Sequence, residues 1–137
     1  MSSLKVYTAS RLTSAPLWRR LINEWPEIVF TARWVMQHVE KDGTPKWPHD
    51  AAHSLLFWQH DYDDVAAADV VLVYGCDGEH LRGALVEAGI GIALGKTVIV
   101  VGDHSDYGTW QYHSSVLRAE DLPTARSLLK LFAMSKR

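Results

Sequence analysis

The chain has 137 residues, of which 47% are hydrophobic and 22% charged, and its net charge is −2. This composition is typical of one soluble globular domain, so we expect neither disorder nor a membrane partner. Fourteen basic residues against sixteen acidic ones leave no positive surplus, and binding to a nucleic-acid polymer is therefore not expected. The single cysteine, Cys76, cannot form an internal disulfide, and the N-terminus carries no cleavage signal, which leads us to expect a cytoplasmic location.

The first part of the chain alternates strand and helix. Residues 4–9 (LKVYTA) are a short β-rich run, and residues 13–25 predict a helix with Ser14 as its N-cap. The run EIVFTARW, residues 27–34, predicts a second strand. The least regular part of the chain follows, and we expect a long irregular insertion at about residues 35–60, of the kind that is usually functional or mobile.

Two apolar runs define the centre of the predicted sheet. Residues 69–75 (DVVLVYG) and 96–102 (KTVIVVG) are nearly continuous in hydrophobic residues, as in parallel strands covered on both faces. Residues 78–95 between them have near-helical apolar spacing. A weak last strand is predicted at 114–119 and a closing amphipathic helix at 120–134.

Strands that alternate with helices predict an α/β fold. We expect a single three-layer α/β/α domain over residues 1–137, with a mainly parallel five-stranded sheet of the flavodoxin-like or Rossmann-like kind. In such open sheets, ligands bind at the carboxyl ends of the strands. Candidate site residues are therefore sought there.

Glu87 is the most informative residue, because it is the one carboxylate in the small, apolar stretch RGALVEAGIGIALGK. A helical glutamate is usually a solvated surface residue. The glycines of this stretch argue against that interpretation, since each costs roughly 1 kcal/mol in a helix relative to alanine. They indicate close approach of a ligand or of another backbone, and tight packing of the helix on the sheet is an alternative explanation for some of them.

Two other candidates come from the first strand. Tyr7 lies near its end and is followed by small polar residues and by Arg11. Loops at strand ends line the ligand crevice of open α/β sheets, where a tyrosine hydroxyl can hold a carboxylate and an arginine can hold a phosphate. The alternative is a core tyrosine beside a surface arginine.

Asp61 and Asp69 bracket the segment DYDDVAAAD. Asp69 directly precedes a strand, where capping or a bond to nearby backbone amides is the simpler role. Asp61 can reach the crevice from the end of the insertion. The neighbouring Asp63 and Asp64 favour a plain solvated acidic turn instead.

Three further patterns carry less weight. HDAAH, from His49 to His53, imitates a zinc-binding HExxH helix but has aspartate in place of the glutamate that acts as the general base. GIGIALG does not have the spacing of a dinucleotide fingerprint and lies within a helix rather than at its start. Trp34 and most of the other tryptophans lie near predicted element ends, where core filling competes with base stacking.

The segments VYTAS, DYDDVAAADVVLVYG and RGALVEAGIGIALGKTVIVVG together resemble the nucleoside 2-deoxyribosyltransferase family and its relatives, the 2'-deoxynucleoside 5'-monophosphate N-glycosidases, over residues 4–102. The resemblance implies a small-molecule nucleoside or nucleotide substrate, no cofactor, no metal, and a homodimer or higher homo-oligomer. It also implies cleavage or exchange of an N-glycosidic bond through a deoxyribosyl-enzyme intermediate.

The resemblance also assigns roles to residues. Glu87 is the expected nucleophile, kept ionised by its place early in a helix and by a hydrogen bond from Tyr7, while Asp61 binds the sugar or protonates the departing base. The substrate-binding residues expected are Ser10, Arg11, Trp34, Gly83 and Asp69. Leu81 stands where the transferases often carry an aspartate, which leaves a noncatalytic nucleotide-binding or sensing module as the alternative function.

Overall fold

The protein consists of a five-stranded, all-parallel sheet with helices on both faces. The structure is a computed structural model, and it describes residues 3–76, 78–102 and 107–136. The strands are β1 (Leu4–Ala9), β2 (Ile28–Phe30), β3 (Val70–Tyr74), β4 (Thr97–Val101) and β5 (Val116–Ala119). Their order across the sheet is β2-β1-β3-β4-β5. The predicted α/β class with a parallel five-stranded sheet is confirmed.

The described α-helices are α1 (Ala15–Glu24), α2 (Trp34–Gln37), α3 (Ala51–Ala67), α4 (Gly83–Ala93) and α5 (Leu122–Ser135). α3 packs against α4, and α4 contacts the central strands β1, β3 and β4. α5 contacts β1, β4 and β5, and its Arg126 donates to the carboxylate of Glu27 just after α1. Within the described ranges, no helix combines the length and apolar character needed to cross a bilayer.

The second strand is shorter than predicted. It covers Ile28–Phe30 rather than residues 27–34, and Trp34 is the first residue of α2. The reason is a change of hydrogen-bond partner, because the amide of Arg33 bonds to the side chain of Asp64 on α3 instead of to β1. A backbone group bonded in this way has left the ladder, so the strand ends.

The insertion expected at residues 35–60 is only partly irregular. α3 begins at Ala51, because Asp50 is its N-cap and its carboxylate accepts a hydrogen bond from the amide of His53. His49 lies outside the helix, so the two histidines of HDAAH do not share a helical face. The irregular part, residues 38–50, is hereafter called the strap.

The strap is held to the body of the protein by specific bonds. Arg19 on α1 donates to the backbone oxygen of Val39 in the strap at 2.9 Å, and to that of Val35 on the adjoining α2 at 3.0 Å. Gly43 has a φ of 90°, and a Cβ at this position would lie 2.8 Å from the Cα of Thr13. Because of this close backbone approach and left-handed conformation, only glycine fits there without strain.

Ser14 precedes α1 as predicted, but its side chain does not cap the helix. A short 3₁₀ turn, Leu12–Ser14, leads into α1 and gives Ser14 a helical backbone conformation. A serine in that conformation does not present its hydroxyl to the amides of the first turn in the way an extended N-cap does.

The centre of the core is formed by β3 and β4, and their valine-rich sequences explain why. Residues 70–73 and 98–101 are all buried, since helices cover the sheet above and below them. Gly91 on α4 lies directly over β3, where a Cβ would lie 2.7 Å from a methyl group of Val71. Close approach of α4 to the sheet therefore depends on a missing side chain at this position.

Two glycines of α4 make this testable. Gly91→Ala is expected to lower the free energy of unfolding by about 1–3 kcal/mol, because the added methyl group overpacks the contact with Val71. Gly89→Ala is the matched control. A Cβ at Gly89 meets nothing within 4 Å, so alanine is expected to raise the free energy of unfolding by about 0.5–1 kcal/mol through helix propensity alone. Urea denaturation of both variants measures the difference, and equal effects would contradict the packing role of Gly91.

Candidate active site

A cavity of about 480 Å³ opens at the carboxyl edge of the sheet, and we call it the main cavity. Its position follows from the strand order. β1 is followed in sequence by β2 on one side, and β3 and β4 extend the sheet on the other side. Connections that leave neighbouring strands in opposite directions open a crevice between them, which is where open α/β sheets bind ligands.

Glu87 forms part of the wall of the main cavity. It is the fifth residue of α4 and is 5% exposed. Tyr7, which is fully buried on β1, donates a hydrogen bond from its hydroxyl to a carboxylate oxygen of Glu87. Burial raises the pKa of Tyr7 well above its ordinary value, so the hydroxyl keeps its proton and acts as the donor.

Asp61 lies on α3 near Glu87 and has no exposed surface. Among the described residues, neither of its carboxylate oxygens has a hydrogen-bond partner, and it does not belong to the wall of the main cavity. Burial raises the pKa of Asp61 to about 7, against the lowering influence of Glu87 and Tyr7. The expected direct contact of Asp61 with the sugar or the base does not fit this geometry, because its side chain is enclosed by protein and does not reach the cavity surface.

The pKa of Glu87 is also raised, first by burial and then by the charge of Asp61, while the hydrogen bond from Tyr7 lowers it. The expectation that the helix start and Tyr7 hold Glu87 ionised is therefore incomplete, since desolvation outweighs both. Two buried carboxyl groups this close cannot both ionise easily. The raised pKa values of both groups favour one proton held between the two carboxyl groups near neutral pH.

A second acidic residue of α3 was not identified from the sequence. Asp64 accepts bonds from the backbone amide of Arg33 and from its guanidinium, each at 2.9 Å, and is 7% exposed. Asp61 and Asp64 are three residues apart, so they share a helical face that turns toward the sheet. This three-residue spacing was the signal in the sequence that both side chains are buried on one face. The run of acidic residues favoured a solvated turn instead.

Four of the residues expected to bind substrate lie in the wall of the main cavity: Ser10, Arg11, Trp34 and Gly83. The long side chains of Arg11 and Trp34 are fixed by hydrogen bonds to the body of the protein. The Arg11 guanidinium donates to the backbone oxygen of His80 at 2.8 Å, and the Trp34 indole donates to the backbone oxygen of Thr8 at 2.9 Å. Both side chains therefore meet the cavity in a set orientation.

Asp69 is not part of this site, which corrects its assignment as a substrate-binding residue. It precedes β3 and so lies at the amino edge of the sheet, opposite the main cavity. Its carboxylate accepts a bond from the amide of Lys5 at 2.9 Å and pairs with the ammonium of Lys136 at 2.7 Å. The alternative role, a bond to a nearby backbone amide, is confirmed.

Several residues in the wall of the main cavity were not identified from the sequence. Phe57 and Trp58 on α3, Arg82 before α4, and His49 in the strap all line the main cavity. Trp58 stands close to the start of α4, since a Cβ on Gly83 would lie 3.4 Å from its ring. Only the folded chain brings these segments together, and the richness of the insertion in aromatic residues was the one available signal.

The described residues contain no group of three or more histidine, cysteine, aspartate or glutamate side chains arranged to hold a metal ion. His53 pairs with Asp50 at 2.8 Å, and His38 pairs with His60 at 3.1 Å. Leu81 is buried and is not part of the wall of the main cavity, and its side chain lies 3.2 Å from a Cβ built on Gly75. This position therefore adds no polar group to the main cavity.

No protein-family model and no curated protein matches this sequence. A solved structure does match in fold: the CMP N-glycosidase BcmB of Clostridium botulinum. The alignment covers 93% of this chain and 98% of that chain, with a TM-score of 0.53 and 12% sequence identity. The two proteins share one fold. The likeness extends over nearly the whole of both chains.

The buried carboxyl pair predicts a pH-dependent stability. Folding raises the pKa of Asp61 from about 4 to about 7, so the contribution of this group to the free energy of unfolding is complete below pH 4 and is lost as the pH rises through 7. Asp61→Asn has no proton to lose. Its free energy of unfolding is expected to exceed that of the wild type by up to about 4 kcal/mol at pH 8 and to match it at pH 4.

Denaturant titrations at both pH values measure this difference. The control is Asp63→Asn, an exposed change two residues along the same helix, which is expected to leave the pH dependence as it is. A variant at Asp61 that is less stable than the wild type at pH 8 would contradict the raised pKa.

Proposed function

We propose that this protein is an enzyme that breaks the N-glycosidic bond of a nucleotide, with Glu87 as the nucleophile. The observation that carries the proposal is a buried carboxyl group in the wall of a 480 Å³ cavity, held by the hydroxyl of Tyr7 and coupled to a second buried carboxyl group. Perturbed carboxyl groups of this kind are typical of catalytic sites. The shared fold with an N-glycosidase and the resemblance of the motifs support the same conclusion.

The proposed reaction has two steps, as in retaining glycosidases. In the first, a carboxylate oxygen of Glu87 bonds to the anomeric carbon while the bond from that carbon to the base nitrogen breaks. The bonding electron pair leaves with the base, which takes up a proton. In the second, water adds to the anomeric carbon, loses its proton, and releases the sugar from Glu87. A second base in place of water gives transfer instead of hydrolysis.

Asp61 and Tyr7 act through Glu87 in this proposal and are positioning residues. When the proton of the carboxyl pair resides on Asp61, Glu87 is a carboxylate that accepts the hydrogen bond from Tyr7. The hydrogen bond from Tyr7 supports that arrangement, because it lowers the pKa of Glu87 against the burial that raises the pKa of both carboxyl groups. The cavity walls around Glu87 exclude much of the water that would solvate its charge.

We propose a 5'-monophosphate as the substrate. Arg11 and Arg82 lie in the cavity wall, and α4 starts beside them at Gly83 with no side chain capping its first turn. Arginine side chains and a helix start both stabilise a phosphate. The sequence motifs favour a 2'-deoxy sugar, whereas BcmB is a glycosidase of CMP, which is a ribonucleotide, so both sugars belong in the assay.

The direct test is Glu87→Gln. Base release from a panel of ribo- and deoxyribonucleotides is expected to fall by about a thousandfold or more, because the amide cannot form the ester intermediate. Chromatography of the free base measures it, in the presence and absence of an acceptor base. Glu24→Gln, an exposed change on α1, is the control and is expected to keep full activity.

Two outcomes would count against the proposal. One is base release by Glu87→Gln at the rate of the wild type. The other is nucleotide binding by the wild-type protein without release of base from any member of the panel, which is the behaviour of the noncatalytic sensor.

We also propose that the protein forms a homodimer through α3. Leu55, Leu56 and Tyr62 on this helix are 62%, 43% and 48% exposed, and large apolar side chains exposed on one helix are the kind of surface that an interface covers. Light scattering is expected to give twice the chain mass of 15.4 kDa. Leu55→Glu is expected to give a monomer, whereas Leu131→Glu, at an equally exposed leucine on α5, is expected to leave the dimer intact. A monomeric wild type would contradict this.

A further inference from the structure

A second cavity of about 210 Å³ adjoins the main cavity between the strap and α3. We call it the aromatic chamber. It shares five wall residues with the main cavity: Leu12, Pro45, His49, Phe57 and Trp58. Its remaining walls are His38, Trp47, Pro48, His53 and Ser54. Nothing in the proposed cleavage steps uses this space.

The walls of the chamber are flat rings. His38 lies between Trp47 and Phe57, with ring centroids 4.2 and 4.6 Å from its own. Trp47 also meets the ring of His53 edge-on, at 5.9 Å. These rings pack on one another, and their remaining surface lines the chamber, where aromatic side chains are the kind of surface on which nucleobases stack in proteins.

Charge divides the two cavities. The chamber walls include no lysine, arginine, aspartate or glutamate among the described residues, whereas the main cavity has Arg11, Arg82 and Glu87 in its wall. A nucleotide has the same division, with a charged phosphate at one end and an uncharged planar base at the other. The distribution of charge therefore orients it with the phosphate at the arginines and the base toward the chamber.

His38 adds a ring but no charge to the chamber. It is 1% exposed, and burial lowers its pKa to about 4, so the ring is neutral at pH 7. The Nδ1 of His53 lies 2.8 Å from the carboxylate of Asp50, which holds this ring at the chamber wall.

We infer that the aromatic chamber receives the nucleobase and selects purine over pyrimidine nucleotides. This inference rests on the proposed N-glycosidase function. The main cavity alone has the volume of an ordinary small-ligand site, so a one-ring base leaves the chamber unfilled. A two-ring base reaches further from the sugar, fills the chamber and contacts more of its ring surface.

Binding to Glu87→Gln separates this inference from catalysis, because this variant retains the cavity but cannot form the ester. Calorimetry with dAMP, dCMP and 2-deoxyribose 5-phosphate is expected to show dAMP bound about tenfold or more tightly than dCMP, through the larger stacked area. Equal affinity for the two nucleotides, or tighter binding of dCMP, would overturn the inference.

Two variants in the same background locate the effect. Trp47→Leu removes a stacking face and is expected to weaken dAMP binding by about tenfold while 2-deoxyribose 5-phosphate binds as before. Ser54→Leu adds bulk inside the chamber without removing a ring, so it tests the same prediction if Trp47→Leu fails to fold. It is expected to weaken dAMP binding and to leave dCMP binding unchanged. Trp110→Leu, at a similarly half-buried tryptophan outside both cavities, is the control.

The possible failures are distinguishable. Selective dAMP binding that Ser54→Leu abolishes, without base release by the wild type, would support the chamber and sink the N-glycosidase proposal. Base release that depends on Glu87 but is fastest with dCMP and unaffected by Ser54→Leu would support the enzyme and overturn the chamber.

Discussion

The site depends on one constraint, which is that two carboxyl groups are buried side by side behind a single cavity wall. Taking a carboxylate out of water is costly, and a second one nearby raises the cost further. The fold meets this cost by keeping a proton on the pair and by directing the hydroxyl of Tyr7 at Glu87. The result is a pair of carboxyl groups that holds a proton, in which the hydrogen bond from Tyr7 favours the charge on Glu87, the form that the proposed nucleophile needs.

Helix packing is what brings the pair together. α4 can lie close to β3 only because Gly91 has no side chain, and this approach carries Glu87 to Tyr7 on β1. On the outer side, α3 packs against α4 and delivers Asp61. The ion pair of Asp64 with Arg33 joins α3 to the segment after β2, which fixes the rotation of α3 and so the direction of Asp61.

The main cavity and the aromatic chamber together divide one crevice by chemistry. The main cavity contains the arginines, a helix start and the nucleophile of the carboxyl pair, and the chamber beside it contains neutral rings. A nucleotide has matching parts: a charged phosphate, a sugar and a flat neutral base. The proposed activity and the proposed purine preference are two consequences of this one arrangement.

The sequence by itself determined the fold class and the approximate positions of the strands, and it pointed to Glu87 as the candidate nucleophile. These follow from local signals: apolar runs for β3 and β4, and a carboxylate among glycines in α4. Tertiary structure alone decided the rest. It ended β2 early, because the amide of Arg33 bonds to Asp64 instead of to β1. It formed helices from half of the residues of the insertion. It also placed Asp69 at the amino edge of the sheet, opposite the main cavity. It also enclosed Asp61 beside Glu87 and raised the pKa of both. Burial and proximity between residues distant in the chain cause all of these effects, and neither is encoded in local spacing.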